Sequence, residues 1–369
     1  MTQPIKIRVC EPDITEKEIS YVTEAVRNNQ LSSIAPPVKK FEEAFAAKFG
    51  MKHGIAVNSG GSALFLAATA LGITEGDEVI MPDFTMIATP AAVTHCGGTP
   101  VFVDSKENDL NMDVSKIEEK ITPRTKAIMP VHIYGQVCDM DEIMRIAEKH
   151  HLLVIEDAAE VHGGKYKGKL AGTFGVANCF SFYANKIITT GEGGMIVTDD
   201  EMLANTLRHI RGYDFDDEKH FWHKTTAWNL RMPALCAALG LAQLERLDEL
   251  VEKRRKNAFY YVERLKDVPG LTFFPELPNT FSVFWMFGIL APRRDELMKF
   301  LAENGIETRT FFIPMHQQPV HQHLPNIAKQ SFPNSDRFGE QGFYLPSSSH
   351  LSSEEKDYVI SKIKEFYGV

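Results

Sequence analysis

Short apolar segments recur along the first two hundred residues, and they constrain the fold more than any other feature of the sequence. They comprise residues 54–57, 78–81, 100–103, 127–131, 152–155, 179–182 and 195–197. Runs of this length that are rich in apolar and β-branched residues are typical of strands buried on both faces, and amphipathic stretches between them indicate crossover helices. The sequence therefore predicts an α/β fold with a mainly parallel central sheet.

The chain is long enough for two domains. Its 369 residues exceed what one hydrophobic core usually organises. A long helical pattern over residues 233–256 precedes strand-like residues 271–274 and 281–287 and a helix-like stretch at 294–304. We therefore predict a large domain at residues 1–250 and a smaller C-terminal α+β domain at residues 251–369.

Charge and cysteine usage exclude several classes of function. The net charge of −9 leaves no broad basic surface for nucleic acid or an anionic membrane. Five scattered cysteines without a CxxC pair favour the reducing cytoplasm. No apolar run approaches the roughly 20 residues of a membrane span. The histidines show no metal-binding spacing such as HExxH, so no metal site is expected.

Lys186 and Asp157 are the residues from which function is predicted. Lys186 follows a strand and precedes a Gly-rich turn at residues 191–194, a setting that suits an amine condensing with an aldehyde. Asp157 ends an apolar strand, where an acid can pair with the protonated ring nitrogen of pyridoxal phosphate. Taken singly, the two residues fit a surface lysine and a buried ion pair as well. Their order along the chain favours a lysine that forms a Schiff base.

The turn at residues 58–64 is a candidate phosphate site. It joins a strand to a helix through Gly61 and Ser62, and the free amides of a helix N-terminus bind phosphate well. An ordinary helix cap formed by Ser62 is the alternative. The turn lacks the GxxxxGK[ST] pattern of nucleoside triphosphatases.

Other candidate residues follow the same strands or lie in the C-terminal part. Phe84 could lie flat on a pyridine ring, although a core position explains it equally well. Ser181 could donate to a phosphate, and Glu160 lies near the expected position of the cofactor's phenolic oxygen. Arg309 and His316 place a cation and an imidazole among aromatic residues, as a pocket for an anionic, sugar-containing substrate would, or as ordinary packing between domains.

The chain resembles the pyridoxal-phosphate-dependent sugar-nucleotide aminotransferases of the DegT/StrS type, which have the aspartate aminotransferase fold, fold type I. The motifs that carry the resemblance are EDAA at 156–159, SFYANK at 181–186, GEGGM at 191–195, NLRM at 229–232 and GLAQLE at 240–245. Related dehydratases carry histidine in place of the lysine. Lys186 therefore favours transamination over dehydration.

The resemblance implies a role for each candidate residue. Lys186 matches the Schiff-base lysine and Asp157 the partner of the ring nitrogen. Phe84 matches the ring-stacking residue, and Glu160 stands where many members carry Gln. The phosphate contacts match Gly61, Ser62, Ser181 and Asn229, the last supplied by the neighbouring subunit of a homodimer. Arg309 and His316 match the substrate-side loop.

The resemblance also implies the substrates. L-glutamate would donate the amino group to carbon 4 of a nucleotide-linked 4-keto-6-deoxyhexose, with GDP-4-keto-6-deoxymannose the closest match, in O-antigen or other lipopolysaccharide assembly. UDP- or dTDP-linked keto-sugars are alternative substrates. A regulatory protein that binds pyridoxal phosphate without turnover is the alternative from another class.

Overall fold

The computed structural model describes residues 6–216, 218–219, 221–324 and 327–369. Its α-helices are α1 (Glu16–Arg27), α2 (Pro36–Phe49), α3 (Gly60–Ala70), α4 (Ala88–His95), α5 (Met140–His150), α6 (Glu201–Arg211), α7 (Ala234–Leu244), α8 (Leu247–Leu265), α9 (Arg294–Glu303), α10 (Pro333–Gln341) and α11 (Ser353–Tyr367). Its strands are β1 (His53–Val57), β2 (Glu78–Pro82), β3 (Thr99–Val103), β4 (Ser105–Lys106), β5 (Asp109–Met112), β6 (Thr125–Ile128), β7 (Leu153–Asp157), β8 (Lys165–Tyr166), β9 (Lys169–Leu170), β10 (Ala177–Ser181), β11 (Gly194–Thr198), β12 (Thr272–Phe273), β13 (Thr280–Phe281), β14 (Phe287–Leu290), β15 (Arg309–Thr310) and β16 (Gly342–Leu345).

The central sheet has the strand order β1-β11-β10-β7-β6-β2-β3. Strands β10, β7, β6, β2 and β3 pair in parallel, whereas β11 runs antiparallel to both β10 and β1. The prediction of an α/β fold with a mainly parallel sheet is confirmed. Asp157 ends β7, and Lys186 lies on the connection from the neighbouring strand β10 to β11. The sheet thus brings the two residues to one edge.

Helices cover the sheet because its strands are apolar on both faces. In β2, Ile80 belongs to the buried cluster on one face, and Val79 and Met81 belong to the cluster on the other. This alternation follows from the two-residue period of a strand. Both faces of β2 are fully covered, as the uninterrupted apolar runs in the sequence predict.

Side chains and glycine define where several helices begin and end. Thr15 and Glu18 form a capping box at the start of α1, and Asp200 accepts from the backbone N–H of Leu203 at the start of α6. Gly50 ends α2 in the left-handed conformation with φ of 69°, which glycine adopts without steric cost.

The C-terminal part contains its own antiparallel sheet, β12-β14-β16-β15. Helices α8, α9 and α11 pack beside it around a third buried cluster. The domain boundary near residue 250 stays a prediction; that residue lies inside the continuous helix α8, and Ile7 pairs with Ile306. Among the helices of the described ranges, none combines the length and apolar character that crossing a bilayer requires.

Candidate active site

A cavity of about 320 Å³ opens at the carboxyl ends of β7 and β10. The structure brings five predicted site residues to its wall: Gly61, Asp157, Glu160, Ser181 and Lys186. The C-terminal part contributes three aromatic side chains to the same wall: Trp285, Phe312 and Tyr344. The cavity therefore lies where ligands of open α/β sheets bind, closed on one side by the C-terminal part.

Asp157 is a buried carboxylate at the floor of the cavity. Only 4% of the residue is exposed. The hydroxyl of Thr89 donates to Oδ2 at 2.8 Å, and the backbone N–H of Ala159 donates to Oδ1 at 3.2 Å. Burial raises the pKa of Asp157, and the hydrogen bond from Thr89 opposes that rise. A cationic N–H group placed beside this carboxylate would offset the cost of burying its charge.

Lys186 reaches the cavity from the turn that follows β10. Its backbone N–H donates to the carbonyl of Tyr183 at 2.9 Å, and its side chain is 10% exposed. Burial lowers the pKa of Lys186, while the carboxylates of Glu160 and Asp157 act in the opposite direction. Such a lysine supplies an unprotonated amine more readily than an exposed one does.

Glu160 contacts the amine of Lys186. Its Oε1 lies 3.4 Å from Nζ, and its Oε2 accepts from the backbone N–H of Tyr134 at 2.8 Å. Burial raises the pKa of Glu160, and the charge of Lys186 opposes this. The acid and the amine form a buried pair beside Asp157 in which a proton can reside on either partner.

The start of α3 offers a site for an anion. Ser59, Gly60 and Gly61 line the cavity, and the hydroxyl of Ser59 accepts from the backbone N–H of Ser62 at 3.1 Å. The hydroxyl of Ser62 donates to the side-chain oxygen of Asn58 at 2.7 Å. The amides of the first helical turn carry partial positive charge and lack intrahelical acceptors. The arrangement fits a phosphate group.

The end of β10 packs against this helix start closely enough to require glycine. A Cβ at Gly60 would lie 2.6 Å from Cβ of Ser181, whereas a Cβ at Gly61 would have its nearest neighbour at 3.9 Å. We expect Gly60→Ala to displace the helix start from the strand, lowering the free energy of unfolding by about 1–3 kcal/mol and weakening cofactor binding. Urea unfolding and titration with pyridoxal phosphate measure the two effects.

Gly61→Ala is the matched control, because the added methyl group meets only ordinary van der Waals contacts. We expect it to leave the unfolding free energy of the cofactor-free protein unchanged or slightly raised, since alanine favours a helix. Equal destabilisation by the two substitutions would contradict the steric argument.

The structure does not bring Phe84 to the cavity. Its ring is fully buried, with ring centroids of Phe311, Phe312 and Phe338 between 5.5 and 5.9 Å away. Two residues farther on, Met86 is 46% exposed and lines the cavity. The reason is packing. The ring at position 84 fills a space between aromatic residues of the C-terminal part, whereas the chain at position 86 has left this cluster and faces the cavity. Stacking by Phe84 on a cofactor ring would require this cluster to open.

His316 also lies outside the residues that line the cavity. Its Nδ1 is 2.8 Å from Oδ2 of Asp83, its Nε2 is 3.1 Å from Oδ1 of Asp336, and its ring stacks on Phe332. Its backbone N–H donates to Asp83 as well. These contacts fix the loop after β15 to the end of β2. The imidazole of His316 therefore links the loop after β15 to Asp83 and Asp336.

Arg309 and Asn229 are exposed and do not line the main cavity. Arg309 lines a smaller cavity of about 150 Å³, which shares Tyr183, Asn185 and Tyr344 with the main one. Asn229 is exposed, and its side-chain oxygen accepts from Nε of Arg231 at 2.9 Å. Arg309 is therefore near enough to contact a large ligand in the cavity. Asn229 does not line it within one chain.

Several lining residues are absent from the sequence-based predictions. Ser59 belongs to the predicted phosphate turn and carries a hydroxyl group. Thr89 does not line the cavity, but its hydroxyl donates to Asp157, which does. Trp285 and Tyr344 come from the distant C-terminal part, and no local motif marks them. The residues of the described ranges contain no group of three His, Cys, Asp or Glu side chains arranged to hold a metal ion.

Comparison with known proteins identifies the family to which the chain is similar. Residues 12–364 match the model of the DegT/DnrJ/EryC1/StrS aminotransferase family. GDP-perosamine synthase of Caulobacter vibrioides is 43% identical over 366 residues, covering 98% of each chain. The crystal structure of DesV from Streptomyces venezuelae superposes with a TM-score of 0.91 at 35% identity, covering 96% of this chain and 95% of the other. The PLP-form structure of Spr1654 from Streptococcus pneumoniae gives a TM-score of 0.92 at 26% identity, covering 100% and 99%.

Proposed function

Because the chain belongs to the DegT/DnrJ/EryC1/StrS aminotransferase family, we propose that it transfers an amino group from L-glutamate to carbon 4 of a nucleotide-linked 4-keto-6-deoxyhexose. The substrate is GDP-4-keto-6-deoxymannose and the product GDP-perosamine. Similarity to GDP-perosamine synthase along 98% of the chain supports this substrate. The observation that carries the proposal is that Lys186 and Asp157 line one cavity.

The cofactor in this proposal is pyridoxal 5'-phosphate, and the residues present fit it. Lys186 offers a buried amine for the aldehyde, and Asp157 a buried carboxylate for the ring nitrogen. The start of α3, with Ser181 opposite, offers amides and a hydroxyl for the phosphate. When bound, pyridoxal phosphate supplies an electron sink for removal of the proton from the carbon that bears nitrogen.

Four residues of the chain have separate roles in this proposal. Lys186 moves the proton, since its amine is the basic group of the cavity wall. With the cofactor bound, Asp157 would keep the ring nitrogen protonated through a charge-assisted hydrogen bond. Glu160 holds the amine of Lys186 by direct contact. Trp285, 4% exposed, covers the amine and excludes water from it.

Arg309 is the residue we propose for the anionic part of the substrates. Its side chain is 58% exposed, and its nearest acid is Glu307 at 3.3 Å. Tyr344, shared by the two cavities, stands beside it, and burial raises the pKa of this phenol to about 12. Arg309 can therefore exchange a weak surface pair for a phosphate or carboxylate, while Tyr344 stays neutral and donates a hydrogen bond. His316 contributes by fixing the loop rather than by touching substrate.

The active unit in this proposal is a homodimer whose two chains share each site. Asn229 is exposed and does not line its own cavity, as a residue that serves the partner's cavity would be. Its neighbour Trp228 and nearby Trp222 are exposed by 37% and 52%, a large apolar area for one chain alone. Sedimentation at decreasing protein concentration tests this proposal, with loss of activity in parallel with dissociation as the expected result.

We place the reaction in the cytoplasm, in keeping with the free cysteines.

Single-turnover spectroscopy tests the proposed function. L-glutamate should remove the visible band of the protein-bound cofactor, and GDP-4-keto-6-deoxymannose should restore it. A panel of UDP- and dTDP-linked keto-sugars completes the experiment. Restoration by one of these instead would keep the chemistry and change the substrate. A visible band that glutamate leaves unaltered would rule out the aminotransfer and favour a binding protein.

A further inference from the structure

The amine of Lys186 lies between an aromatic face and a carboxylate. Its Nζ is 3.5 Å from the centroid of the Trp285 ring and 3.4 Å from Oε1 of Glu160. An ammonium over an indole face is attracted by the ring quadrupole, and a buried carboxylate adds a charge-assisted contact. The two groups come from parts of the chain more than a hundred residues apart and converge on one atom.

Trp285 is held rigidly in this position. Its Nε1 donates to the carbonyl of Asn185 at 2.7 Å, next to the lysine in sequence, and its own carbonyl accepts from Arg254 at 2.7 Å. The preceding residue Phe284 has φ of 45°, a strained conformation for a side chain of that size. The backbone N–H of Val283 donates to the carbonyl of Gly135 at 3.1 Å. The hydrogen bonds on both sides hold the backbone in this strained conformation and thereby fix the position of the indole ring.

Glu160 is held in a similar way from the opposite side. Its second oxygen accepts from the backbone N–H of Tyr134, which has φ of 52°. Tyr134 is itself buried, and its hydroxyl accepts from the backbone N–H of Phe312 at 3.1 Å. Asp157 and Cys10 also favour the protonated form of Lys186. Burial lowers the pKa of the imidazole of His162, and the charge of Lys186 lowers it further. Among the described residues, Glu160 is the only acid that an ion pair joins to the amine.

We propose that Trp285 and Glu160 are positioning residues that together bind the protonated amine of Lys186 whenever that amine is free, and so keep it beside the reacting carbon between the two half-reactions. The inference rests on the proposed function, because the lysine is released from the cofactor and bound again only while amino groups are being transferred. Without the pair, the freed side chain would gain rotamers and lose its alignment for proton transfer.

The test measures how pH controls the attachment of the cofactor. Pyridoxal phosphate is added to the full-length protein after dialysis against a carbonyl reagent, and the rate of appearance of the visible band is followed over a wide pH range. Only the unprotonated amine attacks an aldehyde, so the rate rises with pH and its midpoint reports the titration of Lys186 with its coupled partner. Ionisable groups of pyridoxal phosphate also affect the rate, but they do so equally in all variants, so a difference in midpoint between variants comes from the protein.

Both substitutions should lower this midpoint, because each removes a group that favours the protonated amine. We expect a fall of about one pH unit or more for Glu160→Gln. For Trp285→Leu we expect about half a unit. Trp285→Phe keeps an aromatic face and should fall between Trp285→Leu and wild type. Glu192→Gln is the matched control, since this exposed carboxylate lines the same cavity without bonding to Lys186, and it should give the smallest shift.

An unchanged or raised midpoint in Glu160→Gln or in Trp285→Leu would overturn the proposal. If Trp285→Leu fails to fold, as circular dichroism would show, Trp285→Phe decides the contribution of the indole. Midpoints that shift as expected in a protein that does not react with glutamate would refute the proposed function, and with it the role between half-reactions, although they would show that the pair binds the amine. Normal amino transfer with unshifted midpoints would refute the inference alone.

Discussion

Replacement of Lys186 by alanine should reduce amino transfer by at least about 10⁴-fold, because one substitution removes both the amine that attaches the cofactor and the base that moves the proton. The side chain is buried on a turn between β10 and β11, so removal of its terminal atoms leaves the backbone contacts of that turn in place. The loss should appear in single-turnover absorbance with L-glutamate as well as in steady-state rates.

Lys186→Arg is the matched control for charge. Arginine keeps a cation between Trp285 and Glu160, but its guanidinium does not deprotonate and cannot attack an aldehyde. We expect it to be as inactive as the alanine variant while preserving stability better. Substantial activity in either variant would show that another group supplies the amine and would remove the basis of the proposed mechanism.

Asp157→Asn should have the second largest effect on activity, a loss of about 10²–10⁴-fold in the first half-reaction. The amide is nearly the same size and can keep the hydrogen bond from the N–H of Ala159, with its NH₂ group facing the hydroxyl of Thr89. It cannot carry the negative charge that keeps a ring nitrogen protonated. Stopped-flow absorbance with L-glutamate isolates that step.

The same substitution should stabilise the cofactor-free protein. Burial raises the pKa of Asp157, so the folded chain favours the protonated acid, and the cost of ionising it appears as pH rises through that raised pKa. At neutral pH the wild type bears this cost, whereas Asp157→Asn does not. We expect a gain of roughly 1 kcal/mol, or about 2 °C in Tm, that vanishes in acid where both forms are neutral. A lower Tm at neutral pH would contradict it.

Glu156→Gln provides the matched control for this prediction. Glu156 precedes Asp157 in β7, is equally buried, and accepts from the backbone N–H groups of Gly172 and Phe174 on the other side of the strand. The amide loses acceptor capacity there, so stability should fall. The half-reaction rate of the folded fraction should stay near that of the wild type, since Glu156 does not line the cavity.

Much of this fold could be predicted from the sequence because its strands are buried on both faces. Uninterrupted apolar runs have few alternatives to strands in a covered parallel sheet, and the ends of those strands then define the site. Asp157 and Ser181 are the last residues of β7 and β10, and Lys186 lies on the connection that follows β10, so their places in the chain determine their places in the cavity. Local sequence is sufficient wherever the site is built by the sheet.

The remaining residues could not be predicted because long-range packing decides them. Phe84 and Met86 both follow β2, and only the aromatic cluster contributed by the C-terminal part determines which of them is buried. His316 has the chemistry of a site residue, but one of the two aspartates that hold it, Asp83, lies 233 residues away in the chain. Trp285 likewise reaches Lys186 from a distant part of the chain, through a turn whose geometry no short motif encodes.

The antiparallel strand in the central sheet has a consequence for the energetics of the lysine. If the strand after β10 ran parallel to it, a long crossover would be required. Instead β11 returns antiparallel beside β10, so residues 182–193 form a connection anchored in one sheet at both ends. The conformational entropy of this segment is therefore lost when the sheet forms, before any ligand arrives. Cofactor binding then meets a preorganised backbone, and its affinity is not reduced by the cost of ordering the loop.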